Sequence, residues 1–231
     1  MGPPATALVA DAHLGGPGGP AAPLIEQLGA LPGRAERLVL LGDIFHFWVG
    51  HEKYETAEIA AFAPCLAALR AAGVAVDYVE GNRDFFLPGA RYAPLFDRVA
   101  REIPFEAGGR RCLAVHGDGI NAADWSYRVW RRFSKSAPSR AAFLHLPGPL
   151  ARRIANAAER AIARTNYRHR RRVPEEAILA WGARRLAEGY DLLLLGHFHE
   201  ERRWRLPEGE IWLLEAWFRS RRVEWLGGGS G

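Results

Sequence analysis

Residue types that bind divalent metals and act on phosphate recur in this chain at the ends of apolar runs. Asp11 and His13 close VADAH, Asp43 closes LVLLGD, Asn82 follows YVEG, His116 closes the run before Gly117 and Asp118, and His197 and His199 end LLLLGHFH. In an extended segment, residues two apart point to the same side, so Asp11 with His13 and His197 with His199 each offer two ligands from one backbone. Mixed carboxylate, imidazole and amide donors suit Mn²⁺, Mg²⁺, Fe²⁺ or Zn²⁺, and the lack of thiolates among them argues against a structural zinc. A carboxylate between the pairs can bridge two ions, and Asp43 is the natural bridge. Two ions about 3.5–4 Å apart would hold a hydroxide at neutral pH and clamp a phosphoryl oxygen. The implied reaction is hydrolysis of a phosphoester or phosphoanhydride. A lone histidine is more often a satisfied core residue than a ligand; the weight lies in five strand ends that carry ligands together.

Those ligands need a scaffold of short strands. Residues 7–10, 38–41, 74–79 and 191–195 read as buried strands. Leu24, Ile25, Leu28 and Leu31 repeat at helical spacing, as do Ile59, Phe62, Leu66 and Leu69, with Pro64 expected to kink the second helix or sit in its first turn. The alternation predicts an α/β (α+β) fold with a layered sheet. Residues 102–106 and 111–115, joined through Gly108 and Gly109, read as a hairpin. Pro174, Glu175 and Glu176 open a further helix that ends before Gly189. Residues 211–218 and 221–226 are expected to form a second hairpin, followed by a flexible glycine-rich tail.

With 231 residues, 48% of them hydrophobic, the chain can bury one sizeable core and carry an inserted subdomain. Cys65 and Cys112 lie in apolar settings that predict buried thiols, which fits a reducing cytoplasm. No apolar run reaches the roughly 18 residues of a spanning helix and the N-terminus lacks a signal-peptide pattern, so the expectation is neither spanning nor secreted. Residues 128–172 hold thirteen Lys and Arg against one acid, Glu159, so +12 of the formal +5 resides there and −7 elsewhere. Such a run is a solvated helical face or a surface for anionic ligands.

DAH, GD, GN, HGD and GHFH, in this order and each after an apolar run, resemble the five motifs of the calcineurin-like metallophosphoesterases. The resemblance implies a β sandwich flanked by helices. It places Asp11, His13, Asp43 and His199 around one metal, and Asp43, Asn82, His116 and His197 around the other. Most relatives carry a histidine after the asparagine; here Arg83 stands there. A guanidinium cannot act as an acid near pH 7 but can stabilise negative charge, which suits a leaving group that is itself a phosphate. Arg83, Asp43 and His116 are therefore the catalytic candidates. GNRDF, with Trp48 and Gly50 after the GD motif, is similar to the UDP-2,3-diacylglucosamine hydrolases of lipid A biosynthesis. That similarity implies attack of water on the diphosphate and release of UMP and 2,3-diacylglucosamine 1-phosphate, with two divalent ions, Mn²⁺ first. It also implies a core of residues 1–118 and 190–231 with a helical cap at 119–189. Asn82, Arg83, Trp48, Asp124, Tyr127, Trp130 and Arg131 are the substrate-binding candidates, although a tryptophan such as Trp48 is more often a core residue than a base-stacking platform.

The insert has a reading of its own. Leu150, Ile154, Ala158 and Ile162 form a stripe opposite Arg152, Arg153, Arg160 and Arg164, which packs on the body or serves acyl chains and a membrane surface. The cluster at 168–172 meets a diphosphate or lipid headgroups, or is merely solvated. The expected partners are an acylated UDP-sugar and the anionic inner-membrane surface, with the protein cytoplasmic and peripheral. Nucleic acid is not expected, because the apolar stripe has no use there. His46, His51, His145 and His169 fall outside the motif positions, and Asp84 and Asp118 read as groups that orient neighbours. Phe198, Glu200 and Glu201 depart from the similar family, which keeps open another nucleotide or sugar nucleotide as substrate.

Overall fold

The structure is a computed structural model describing residues 5–87, 92–121, 125–147, 149–150, 153, 157 and 173–227. In chain order the elements are β1 (Thr6–Val9), α1 (Ala22–Gly29), β2 (Arg37–Leu40), β3 (Trp48–Val49), α2 (Ala57–Ala71), β4 (Ala75–Val79), β5 (Asp84–Phe85), β6 (Arg98–Ala100), β7 (Glu102–Ala107), β8 (Arg110–Val115), α3 (Trp125–Ser134), α4 (Ala137–His145), α5 (Glu175–Leu186), β9 (Leu192–Leu195), β10 (Arg202–Leu206), β11 (Gly209–Leu213), α6 (Trp217–Ser220) and β12 (Glu224–Leu226).

Two five-stranded sheets form the body, in the orders β12-β1-β2-β4-β6 and β10-β11-β9-β8-β7. β1, β2, β4 and β6 are parallel to one another, and so are β8, β9 and β11. Because successive side chains of a strand face opposite ways, each strand feeds two cores. From β1, Ala7 and Val9 pack with Leu24 and Leu28 of α1 and Phe62 and Leu66 of α2. Its Leu8 turns inward with Val39 and Val79, onto Cys112, Leu192 and Leu194 of the second sheet. That sheet's outer residues Leu193, Leu195 and Ile211 are covered by Ile178 and Leu186 of α5. The result is four layers, helix, sheet, sheet and helix, the expected α/β sandwich. Among the described residues, no helix is long and apolar enough to cross a membrane.

One expectation changes and two open alternatives narrow. The hairpin of 211–218 with 221–226 does not form: β11 pairs with β10 and β9, whereas β12 pairs with β1 in the other sheet. The chain crosses between sheets at α6 because Trp217 is wholly buried in the first core, its Nε1 donating to Gln27 Oε1 at 2.8 Å. Pro64 lies in the middle of α2, whose start is fixed instead by Thr56, the Oγ1 of which accepts from Ile59 N. Pro64 and Ala60 are both solvent-exposed, so the carbonyl that proline leaves unpaired meets water. Trp48 is only 1% exposed and is ringed by Phe45, Tyr78, Tyr92 and Phe96 at centroid separations of 4.9 to 5.9 Å. It is a core residue and has no face to offer a substrate.

Trp48→Ala is expected to lower the unfolding free energy by about 3–5 kcal/mol in a urea titration, while Trp48→Phe should leave substrate affinity unchanged. A weakened affinity at undiminished stability would return Trp48 to the binding surface.

Candidate metal centre at the strand ends

The C-terminal ends of β1, β2, β4, β8 and β9 deliver Asp11 and His13, Asp43, Asn82 and Arg83, His116, and His197 and His199 to one place. Ligands of parallel sheets gather at such ends because the loops there can converge from adjacent strands. Asp11, His13, Asp43, Asn82, His116 and His199 are all buried.

Their convergence has a different backbone origin from the one expected. Neither pair lies in an extended segment: β1 stops at Val9 and β9 at Leu195. Asp11, His13, Asp43, His197 and His199 instead adopt left-handed φ of 50°, 47°, 52°, 70° and 59°. Asp and His tolerate this region better than most residues, but each such residue costs on the order of 1–3 kcal/mol and persists only where its surroundings hold it. Cross-strand hydrogen bonds do so here: Asp11 N to Gly42 O at 3.2 Å, His13 N to Asp43 O at 3.0 Å and Leu14 N to Ile44 O at 2.9 Å. Gly42 has φ +85°, and a Cβ there would come within 2.8 Å of Gly81 Cα and of His116 Nδ1. Only glycine lets the three motifs approach this closely.

Two groups of converging donors result, Asp11 with His13 and His199, and Asp11 with Asp43 and His116, the ligand atoms of each lying within 4.8 Å of one another. Asp11 belongs to both. In the first, His13 Nε2 and His199 Nε2 are 3.2 Å apart, and Asp11 Oδ1 lies 3.7 and 3.3 Å from them. In the second, His116 Nε2 is 3.7 Å from Asp43 Oδ2 and 3.2 Å from Asn82 Oδ1, which lies 3.0 Å from His197 Nδ1. His116 Nδ1 is 2.7 Å from the Leu41 carbonyl. A carbonyl only accepts, so Nδ1 carries the proton and Nε2 of the neutral ring turns a lone pair toward the amide oxygen. Acceptors facing one another hold a proton or a cation between them.

The carboxylates divide their oxygens. Asp11 Oδ2 accepts from His197 N at 2.6 Å and Asp43 Oδ1 from Arg83 N at 2.8 Å, each tying down a neighbouring motif. Asp11 Oδ1 and Asp43 Oδ2, both buried, accept no hydrogen bond from the described residues. Carboxylate oxygens left open beside imidazole nitrogens, with no thiolate among the described residues at the site, fit a divalent cation. The electrostatics agree. Burial would raise the Asp11 carboxyl, yet His199, chiefly by its charge, and His116 hold it well below the usual carboxylate range. Asp43 is pushed up by burial and by the adjacent Asp11, against the pull of His116 and Arg83. Burial keeps His13 well below its ordinary value and thus neutral, while Asp43, Asp11 and Asp118 overcome burial and raise His116. Asp84 is pushed up to about 7 by burial and by the neighbouring Asp43.

Relatives of known name accord with this geometry. UDP-2,3-diacylglucosamine hydrolase from Ralstonia nicotianae is 34% identical over 194 residues, spanning 79% of this chain and 72% of the relative. The chain belongs to this family. The protein of the same name from Chromobacterium violaceum is 30% identical over 204 residues, covering 85% of this chain and 83% of its own. Membership, with the donor groups above, makes the protein a metal-dependent hydrolase. No protein-family model matches. Solved structures show a remote likeness, among them a predicted phosphoesterase from Streptococcus pneumoniae at 14% identity and a TM-score of 0.44, covering 94% of this chain and 74% of that one. Vps29 from Entamoeba histolytica, solved with zinc, stands at 12% and 0.43, with 92% and 74% covered.

Around the ligands, this family member assembles a supporting ring that its motifs only partly disclose. Asp84 Oδ2 accepts from Asp43 N at 3.0 Å and Gly81 N at 2.8 Å, so it joins the second motif to the third. Arg131 Nε pairs with Asp118 at 2.8 Å, which ties α3 to the loop behind His116. Asp124 lies outside the described residues, as do the side chains of Tyr127 and Trp130 on α3, the stripe from 154 to 162 and the cluster at 168–172. Residues not singled out from the sequence also reach the site. Phe218 packs against His13 and His199 at centroid distances of 5.5 and 5.1 Å, and Arg219 Nη1 donates to the His199 carbonyl at 3.2 Å. Lys135 Nζ donates to Gly81 O at 2.7 Å. An aromatic after Trp217 carries no ligand chemistry, so no local pattern marks it. His51 has a local role, accepting from Lys53 N at the start of the 3₁₀ turn Glu52–Tyr54.

Asp84→Ala would leave two buried N–H groups unpaired, and is expected to cost about 2–5 kcal/mol of unfolding free energy. Asp84→Asn, which keeps one acceptor oxygen, should cost less; equal losses in chemical denaturation would contradict the joining role.

Proposed function

We propose that the protein hydrolyses the diphosphate of UDP-2,3-diacylglucosamine to UMP and 2,3-diacylglucosamine 1-phosphate, in lipid A biosynthesis. The observation that carries the reading is Arg83, which occupies the place after Asn82 with its Nε 3.6 Å from Asp43 Oδ2 and its side chain 12% exposed. Asp11, His13, Asp43, Asn82, His116, His197 and His199 are the residues that would hold two divalent ions, Mn²⁺ being our first choice. Ions bound there would supply Lewis acidity toward a phosphoryl oxygen and an acidified water. Water adds to one phosphorus, the bond from that phosphorus to the bridging oxygen breaks, and the second phosphate leaves with the electron pair. Arg83 meets the charge that grows on the leaving phosphate; that phosphate is a weak base and needs no proton in the transition state.

The proposed cap lies in the stretch 119–189, whose described helices are α3, α4 and α5. α5 of that stretch lies on the second sheet. Lys53 Nζ donates to the carbonyls of Leu144 and Leu146 at 2.6 and 2.8 Å, holding the end of α4 over the β3–β5 ribbon. On α3, Val129 and Phe133 are 55% and 64% exposed one helical turn apart, beside exposed Arg132. Apolar side chains rimmed by cations suit an acylated substrate and peripheral contact with the anionic cytoplasmic face of the inner membrane.

Purified protein with Mn²⁺ should release UMP from UDP-2,3-diacylglucosamine and far less from deacylated UDP-glucosamine. Equal release from both would keep the diphosphatase and remove the acyl-binding role of the cap; release from neither would overturn the assignment. Asn82→Ala and His116→Ala should each reduce kcat at least about a hundredfold while circular dichroism stays unchanged. Chelation should abolish turnover, and Mn²⁺ should restore it.

A further inference from the structure

His46, three residues beyond Asp43, is not among the converging ligands, yet it grips the side chain on which the proposed reaction depends. Arg83 Nη1 donates to the His46 backbone carbonyl at 3.0 Å and lies 3.2 Å from His46 Nδ1. A guanidinium has donors only, so Nδ1 is the acceptor and the neutral imidazole carries its proton on Nε2. The same guanidinium faces Asp43 Oδ2 through Nε, and the Arg83 backbone N–H is already spent on Asp43 Oδ1. His46 is anchored from the opposite side. Its backbone N donates to Leu14 O at 2.9 Å, its ring stands edge-on to that of His13 at 6.2 Å, and a Cβ on Gly16 would collide with it.

An unanchored arginine swings through many rotamers, and ordering it on the substrate would take free energy away from catalysis. Here two acceptors on one residue hold Nη1, and the Asp43 carboxylate faces Nε, so the plane of the guanidinium is set before substrate arrives. We infer that His46 is a positioning residue that presents Arg83 to the departing phosphate. The role of Arg83 in this inference rests on the diphosphatase reading; the grip of His46 on the guanidinium does not. Because the charge that Arg83 meets is larger in the transition state than in the bound substrate, loss of the grip should appear in kcat more than in KM.

The test uses the metal-loaded full chain and the acylated UDP-sugar. His46→Leu, which removes the ring acceptor, should lower kcat about 10–100-fold with KM changed less than about threefold. His46→Asn, whose Oδ1 falls near the place of Nδ1, should recover to within about threefold of the parent. In the Arg83→Ala background, His46→Leu should add less than about a twofold further loss. A parent-like kcat in His46→Leu, equal losses in the Leu and Asn variants, or additive losses in the double variant would each overturn the inference. So would a loss explained by reduced metal content or melting temperature in both variants. Arginine-selective NMR reads the grip independently of turnover. Separate Nη signals of Arg83 are expected in the parent and merged signals in His46→Leu; identical spectra would overturn the grip even in a protein that hydrolyses no diphosphate. An inert parent with the expected spectra would overturn the diphosphatase reading instead.

Discussion

Two buried carboxylates, each with one oxygen that accepts no hydrogen bond from the described residues, are the constraint on which the rest of the site depends. Asp11 and Asp43 are both wholly buried, and their ligand oxygens lie within 4.8 Å of each other. Unneutralised charge of that kind is among the most costly things a protein interior can hold. Its surroundings answer it with imidazoles from three motifs and the Arg83 guanidinium, and the donor set that remains open fits cations. The other oxygen of each carboxylate binds the backbone of a neighbouring motif, so the groups that would take metal also clip the loops together.

The sandwich is shaped to make that arrangement tolerable. Alternating apolar residues bury both faces of the first sheet and both faces of the second, and the stability so gained can carry five left-handed ligand residues at the strand ends. Strain of this sort is seldom found outside functional sites, because ordinary loops have no reason to hold it. The second layer of contacts is equally dense. Asp84 joins two ligand loops, Phe218 covers two imidazoles, and Lys135, Arg131 and Lys53 pin the helices after β8 to the motif loops rather than to the sheets.

The seven candidate ligands were legible as a set, because residues with metal chemistry in their side chains recur after five apolar runs, and the structure brings them together at the strand ends. Asp84 and Asp118 were legible as orienting groups, being acids two positions from the candidate ligands Asn82 and His116. His46 and Phe218 were not. A histidine three residues past a candidate ligand and an aromatic near the C-terminus have no local signature, and their meaning comes from contacts such as His46 with Arg83 and Phe218 with His13, made across 37 and 205 residues of chain. Trp48 was ambiguous for the same reason. An indole in a motif is more often packed than stacked on a substrate, and the ring of aromatics around it bears out the packing.

The sequence by itself determined the composition of the site, the alternation of strand and helix, and the family, since these depend on residue type and short-range order. Tertiary structure decided the rest. It brought the pairs together through left-handed turns rather than extended strands, sent the C-terminal segment across to the first sheet, and placed α5 on the second. It also made Asp11 common to both donor groups. These outcomes depend on which surfaces are buried against which, a property of the folded whole that no window of a dozen residues contains.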